Sequence, residues 1–226
     1  MRSKRRYDNI NPVFFEKTKD GEILYDVYAR LVKDRIIFLH EEIDSNVASV
    51  IVALLLVLDE EDKEEPISLY INSPGGSVES FFAIYDVMQL IHAPIKTICV
   101  GEASSAAAIL LAAGSAGMRF ATVNSRIMIH QIQIGSVEGS GTDLENTAKE
   151  VKALKKKLTE VLARHTGQSY KKVLRDCEID KYLSAMESKE YGLVDEILLP
   201  TKNIPEIKPH KHISRKKKTI PPPEKI

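Results

Sequence analysis

The chain has 226 residues, of which 43% are hydrophobic, and its 32 Lys and Arg residues balance 32 Asp and Glu residues. This length can bury a full core in one or two domains, and the balanced charge gives no general reason to expect a nucleic-acid or acidic-surface partner. Only two cysteines are present, Cys99 and Cys177. They argue against a disulfide framework and suit a reducing compartment.

Neither a membrane span nor a secretion signal is predicted. The longest apolar run, residues 47–58, is shorter than the roughly 20 residues that a membrane-spanning helix needs. The basic N-terminus lacks the apolar stretch of a secretory signal. We therefore expect a soluble protein of the cytoplasm without membrane partners, with an organellar stroma or matrix as the alternative. Residues 1–22 carry charge and little periodicity, and we predict a flexible N-terminal segment there.

Strands and helices are predicted to alternate through the first part of the folded region, which we expect to span residues 23–199. In chain order they are strand 35–39, helix 45–58, strand 67–72, helix 78–91, strand 95–100 and helix 106–113. The alternation of short strands with helices predicts an α/β fold with a mostly parallel sheet.

A pair of serines lies where a predicted strand meets a predicted helix, in the tract GEASS at residues 101–105. Serine is a favoured N-cap, so one interpretation of this pair is structural. The same junction would present a nucleophile beside the free N–H groups of a helix N-terminus. The local pattern leaves both interpretations open.

The chain changes character after His130. A glycine-rich connection at residues 135–141 leads to Thr142 and Glu145, which we predict to form a capping box. A long helix then ends near residues 166–167. Its apolar positions fall three or four residues apart, at Leu144, Ala148, Val151, Leu154, Leu158 and Val161. This stripe predicts either packing on the core or a projecting arm that contacts another subunit.

The last ordered elements are predicted by another capping signal. Ser184 and Glu187 form a capping box before a helix that Gly192 closes, and a strand is predicted at residues 193–199. Residues 200–226 are rich in Pro and Lys and are predicted to be a disordered basic tail. A solvated tail is the simpler interpretation, and contact with nucleic acid or a membrane surface is the alternative.

A nucleophilic Ser105 would need a base and a group that orients the base. His130 follows a predicted strand, and Asp180 precedes the capped helix that begins near Ser184. Both residue types suit these roles, although spacing alone is weak evidence.

Six tracts, in order and with matching gaps, are together similar to the ClpP family, the proteolytic subunits of the Clp protease. They are YINSPGGS at 70–77, IYD at 84–86, GEASS at 101–105, NSRIMIHQ at 124–131, HTGQ at 165–168, and YLSA through EYGLVD at 182–195. The resemblance implies a crotonase-like α/β head with a projecting strand-helix handle at about residues 131–167. It also implies a homo-oligomer of two stacked seven-membered rings.

The resemblance assigns a role to individual residues. Ser105 would be the nucleophile, His130 the general base and Asp180 the orienting acid, while the backbone N–H groups of Gly76 and Ala106 would form the oxyanion hole. Substrate contacts would involve Gln131, Gly135 and Gly139. The two glycines would lie in an extended strand at residues 135–141 that pairs with the substrate and meets the opposite ring. No metal ligand is implied.

The implied activity is a serine endopeptidase that cleaves unfolded proteins to short peptides inside a closed chamber. An AAA+ ATPase unfoldase would deliver the substrate and consume ATP, and the peptidase itself would need no cofactor. Two alternatives are a ring subunit of a mixed Clp complex that contributes little catalysis, and a crotonase-type acyl-CoA enzyme. The latter would not need the serine and histidine pair.

Overall fold

The computed structural model of the chain describes residues 13–18, 21–136 and 138–201. The predicted basic tail lies outside these ranges from residue 202 onward. The strands in the described ranges are β1 (Val13–Thr18), β2 (Gly21–Asp26), β3 (Ile36–Leu39), β4 (Ile67–Ser73), β5 (Ile95–Ser104), β6 (Arg119–Thr122), β7 (Arg126–Ile129), β8 (Lys181–Ser184) and β9 (Glu196–Leu198). The helices are α1 (Val27–Lys33), α2 (Ser45–Glu61), α3 (Val78–Leu90), α4 (Ala106–Ala112), α5 (Gly141–Thr166), α6 (Tyr170–Asp176) and α7 (Ala185–Tyr191).

The central sheet is mostly parallel, which confirms the predicted α/β class. Its strands follow the order β3-β4-β5-β6-β9, and all neighbours in this order are parallel. β7 pairs with β5 in parallel and with β8 in the antiparallel direction. The near-continuous apolar strands of this sheet suit burial on both faces.

β5 is longer than predicted, and it has two different partners on one side. Its first part pairs with β6, from Thr97 to Cys99, and its last part pairs with β7, from Glu102 to Ser104. The strand therefore continues past the end of β6 and finishes beside β7. This arrangement brings the residues that follow β5 close to those that follow β7.

The core lies between the sheet and the helices that cover it. Every residue of α4 is buried, and its run of alanines lets the helix approach β5 closely. α4 also packs against α3 and α5. The nucleophile candidate thus begins a helix that is fixed on all sides by the core.

The long helix α5 begins differently from the prediction. The capping box is formed by Ser140 and Asp143 and not by Thr142 and Glu145. Ser140 Oγ accepts a hydrogen bond from the Asp143 N–H at 3.3 Å, and Asp143 Oδ2 accepts one from the Ser140 N–H at 2.9 Å. An Asp at the third helical position can accept a hydrogen bond from the N-cap N–H, as a Glu does. The pairs Ser140–Asp143 and Thr142–Glu145 therefore both fit the capping-box pattern, and the helix uses the first. The helix ends as expected, with Gly167 at a φ of 70°.

Residues 1–12 and 19–20 of the predicted flexible segment lie outside the described residues. The part of it that is described, residues 13–18 and 21–22, belongs to two strands. β1 and β2 form an antiparallel hairpin in which Val13 is paired with Asp26 and Thr18 with Gly21. Four further short elements, α1, α6, β6 and β8, were not predicted. The predicted capping box of Ser184 and Glu187 and the closing Gly192 of α7 are both confirmed.

Candidate active site

The sheet places the three candidate side chains at the ends of neighbouring strands. Ser105 follows β5, His130 follows β7, and Asp180 precedes β8. Ser104 pairs with Met128, and Ile129 pairs with Lys181. Because β7 lies between β5 and β8, the next residue along each strand end converges on one point.

Ser105 has an unusual backbone conformation, with φ at 57° and ψ at −124°. Among the described residues only one other non-glycine, Arg35, has a positive φ. Such strained turns cluster at functional sites because they aim a side chain that ordinary geometry would not aim. Ser105 occupies the N-cap position of α4, yet its side chain makes no capping hydrogen bond. Capping therefore does not account for this serine.

The Ser105 hydroxyl contacts a histidine. Its Oγ lies 2.7 Å from His130 Nε2, which is a short hydrogen bond. On the other side of the ring, His130 Nδ1 lies 3.4 Å from Asp180 Oδ1. If Nδ1 carries the proton, Nε2 is the acceptor and Ser105 is the donor. The His130 side chain is only 12% exposed, whereas that of Asp180 is 48% exposed.

The turn after β4 supplies backbone N–H groups beside Ser105. Ile43 N–H donates to Gly75 O and Ser77 N–H donates to Ile43 O, both at 2.8 Å. The Gly76 N–H lies between these two bonds. Among the described residues, neither this N–H nor that of Ala106, at the start of α4, donates a hydrogen bond to another group. Both donors remain available to an anion.

Glycine is required at this turn for steric reasons. Gly76 has a φ of 155°, and a Cβ built there would lie 2.3 Å from Ile43 O. At Gly75, with a φ of 94°, a Cβ would lie 2.8 Å from the Ser105 Cβ. The backbone can approach the serine this closely only without side chains.

Replacement of Gly76 by alanine is expected to lower kcat for peptide hydrolysis by about 10²–10³-fold, the usual cost of one misplaced oxyanion donor. The new methyl group must push the turn away from Ile43. A matched control is Gly117→Ala, because Gly117 also has a positive φ but a Cβ there meets nothing within 4 Å. Activity of Gly76→Ala equal to that of the control, measured with a fluorogenic peptide, would contradict an oxyanion role.

The three side chains open into a cleft of about 750 Å³. Apolar residues form much of its lining: Val78, Phe81, Ile109, Met128, Ile132 and Leu158. Among its lining residues the acidic side chains are Glu42 and Asp180, and there is no Lys or Arg. A cleft of this size and composition suits an extended chain or another large, partly apolar ligand.

The residues predicted to contact substrate are only partly at this cleft. Gln131 lines it, whereas Gly135 and Gly139 are not among its lining residues. Residues 135–136 and 138–140 are not in a strand. A strand needs a hydrogen-bonding partner, which in the resemblance comes from substrate or another subunit. The substrate role of the two glycines stays a prediction.

The apolar lining residues were not identified from the sequence as part of a site. Phe81 and Leu158 belong to helical stripes, and such stripes usually mark core packing. Nothing in a one-dimensional pattern separates the stripe position that faces the core from the one that faces a cleft. The glycine-rich turn was the one local signal that pointed to this wall.

Neither cysteine competes with Ser105 as a nucleophile. Burial raises the pKa of both the Cys99 and the Cys177 thiol to about 11. Since the reactive form of cysteine is the thiolate, both side chains stay neutral and unreactive near neutral pH.

A serine hydrogen-bonded to a histidine that faces a carboxylate is the arrangement found in serine hydrolases on several unrelated folds. In this chain it lies on an α/β sheet beside free backbone N–H groups. A family model for the Clp protease matches residues 19–201, which is most of the chain. The protein therefore belongs to the Clp protease family, a family of serine peptidases.

Within the described ranges, no helix has both the length and the apolar character to cross a membrane.

Proposed function

We propose that this protein is the proteolytic subunit of an ATP-dependent Clp protease and that it acts as a serine endopeptidase. Unfolded proteins would be its substrates and short peptides its products. The single observation that carries the proposal is the Ser105–His130–Asp180 arrangement, with its 2.7 Å contact between Oγ and Nε2, in a chain of this family.

Acylation follows from these positions. Ser105 Oγ attacks the carbonyl carbon of the scissile peptide bond while its proton passes to His130 Nε2. Asp180 faces the other ring nitrogen and stabilises the imidazolium that forms. The N–H groups of Gly76 and Ala106 donate to the oxyanion of the tetrahedral intermediate, and each such donor is worth about 3–4 kcal/mol. The C–N bond then breaks, and His130 gives its proton to the leaving amine.

Deacylation reverses the roles with water in place of the amine. His130 removes a proton from water, and the hydroxide attacks the ester carbon that Ser105 carries. The ester bond breaks, Ser105 regains its proton from His130, and the peptide leaves with a free carboxylate. The steps require only groups of this chain and water. In the proposed complex, ATP is consumed by the AAA+ unfoldase that delivers the substrate.

The long helix supports assembly into rings. All four buried residues of α5 lie at or after Thr159: Thr159, Val161, Leu162 and Thr166. The first two thirds of the helix buries no residue in its own chain, and Leu144 is 46% exposed. The two interpretations left open by the sequence thus apply to different parts of the helix. We infer that the C-terminal part packs on the core, whereas the N-terminal part contacts another subunit between two stacked seven-membered rings.

Substitution Leu154→Asp is expected to weaken the contact between rings, because it forces a carboxylate into an apolar interface at a cost of several kcal/mol. The variant should sediment as single rings or monomers where the wild type forms a double ring. The matched control is Lys152→Asp, which adds the same carboxylate at an exposed position of α5. Wild-type assembly of Leu154→Asp would show that this part of the helix is not the interface.

The proposed activity is tested in two stages. A short fluorogenic peptide should be cleaved by the oligomer alone, because a short peptide needs no unfolding. A stably folded protein should be degraded only when an AAA+ unfoldase and ATP are added. Failure to cleave any peptide, together with binding of an acyl-CoA, would overturn the proposal and favour a crotonase-type enzyme.

A further inference from the structure

Gln131 directly follows the proposed base, and other groups of the chain engage its backbone N–H and both ends of its side-chain amide. Its backbone N–H donates to Cys177 O at 2.7 Å. Its side-chain Nε2 donates to Glu178 O at 3.0 Å, and its Oε1 accepts a hydrogen bond from Lys155 Nζ at 2.7 Å. Gln131 therefore joins three segments: the end of β7, the loop before Asp180, and the helix α5.

These bonds span the gap between the two segments that carry His130 and Asp180. Gln131 is one residue after the histidine, and Glu178 is two residues before the aspartate. The distance from His130 Nδ1 to Asp180 Oδ1 is 3.4 Å, slightly longer than an ordinary N–H···O hydrogen bond. A shift of a few tenths of an ångström in either segment therefore decides whether Asp180 holds the Nδ1–H.

Lys155 determines which way the Gln131 amide points. An ammonium group can only donate, so it selects Oε1 as its partner. A carbonyl can only accept, so Glu178 O selects the NH₂ group. With Lys155 in place the amide has one orientation that satisfies both partners. Lys155 is half-buried, whereas Lys152 and Lys156 on the same helix are exposed, so its contact is not an ordinary solvated surface contact.

We propose that Gln131 and Lys155 are positioning residues for the His130–Asp180 pair. The Lys155 ammonium orients the Gln131 amide, and the amide holds the loop of residues 177–180 at the distance that lets Asp180 reach His130. The inference rests on the proposed serine-peptidase function and gives the Gln131 side chain a role inside the chain rather than on the substrate. It also makes α5 part of the support of the active site.

The test compares Lys155→Met and Gln131→Met with Lys155→Arg, which keeps a donor, and with Lys152→Met, which removes a neighbouring exposed charge from the same helix. All variants are first checked for wild-type sedimentation. Lys155→Met and Gln131→Met should lower kcat by about tenfold to a hundredfold, the scale of a small misplacement of catalytic groups, with KM unchanged. Lys155→Arg should retain most activity, and Lys152→Met should match the wild type.

The structure of the variants separates positioning from other roles. A crystal structure of Lys155→Met should show a longer distance between His130 Nδ1 and Asp180 Oδ1. This readout needs no activity, so it tests the positioning role even if the proposed function fails. Raised KM with unchanged kcat would overturn the proposal in favour of a substrate contact. An unchanged distance, or an equal loss in Lys152→Met, would also overturn it.

Discussion

Replacement of Ser105 by alanine is expected to abolish peptide hydrolysis, with a fall in kcat of about 10⁶-fold, as for other triad nucleophiles. The variant loses the hydroxyl that lies 2.7 Å from His130 Nε2. The oxyanion donors and the cleft remain, so a small residual rate above that of the uncatalysed reaction is expected. The measurement is hydrolysis of a short fluorogenic peptide by the purified oligomer.

The adjacent serine provides a matched control. Ser104 is buried at the end of β5 and does not line the cleft, so Ser104→Ala should keep most of the activity. Each variant loses one hydroxyl oxygen, and the two positions are adjacent in the chain. Activity of Ser105→Ala equal to that of the wild type would refute the serine-peptidase proposal. Activity lost only with Ser104→Ala would keep the chemistry and move the nucleophile by one residue.

Loss of the base should cost nearly as much as loss of the nucleophile, because triad residues act as a unit and their losses do not add. We therefore expect His130→Ala to be almost inactive. Asp180→Asn should lower kcat by about 10⁴-fold or less, because the amide favours the wrong tautomer of the imidazole. The smaller effect is expected at Asp180 because its side chain is 48% exposed and lies 3.4 Å from Nδ1.

The loss of activity in both variants must be measured on protein that still forms the oligomer. Light scattering should show the wild-type oligomer for His130→Ala and Asp180→Asn, because neither side chain is part of the apolar core. An Asp180→Asn variant with full activity in an intact oligomer would show that Asp180 does not orient the base. Full activity of His130→Ala would remove the proposed mechanism altogether.

The sheet and its flanking helices could be predicted because their periodicities are strong and local. The alternating residues of β4 and the stripe of α3 gave the correct element types, and Asp44 and Ser77 cap α2 and α3 through their side chains. The elements that were missed or misplaced have weak or overlapping sequence patterns. The four-residue strands β6 and β8 read RFAT and KYLS and mix charged, polar and apolar residues, whereas β3, of the same length, is a continuous apolar run.

The site could be predicted only as a list of residues. His130 lies 25 residues after Ser105 in the chain. No local sequence pattern shows that β5 extends past the end of β6 and pairs with β7. The choice between capping and catalysis depends on where Oγ points, which the positive φ of Ser105 decides. That conformation is rare outside glycine, so residue type alone could not indicate it. The Gln131 contacts join three separate segments and were likewise beyond sequence patterns.

The most direct test of the central proposal is covalent labelling with a serine-reactive fluorophosphonate, followed by peptide mass spectrometry. We expect a single phosphonyl adduct on Ser105 in the wild type, with loss of peptidase activity in proportion to labelling. His130→Ala should remain unlabelled under the same conditions, because its serine is not activated. An adduct on another residue that tracks the loss of activity, or full activity of protein labelled at Ser105, would contradict the assignment of Ser105 as the nucleophile.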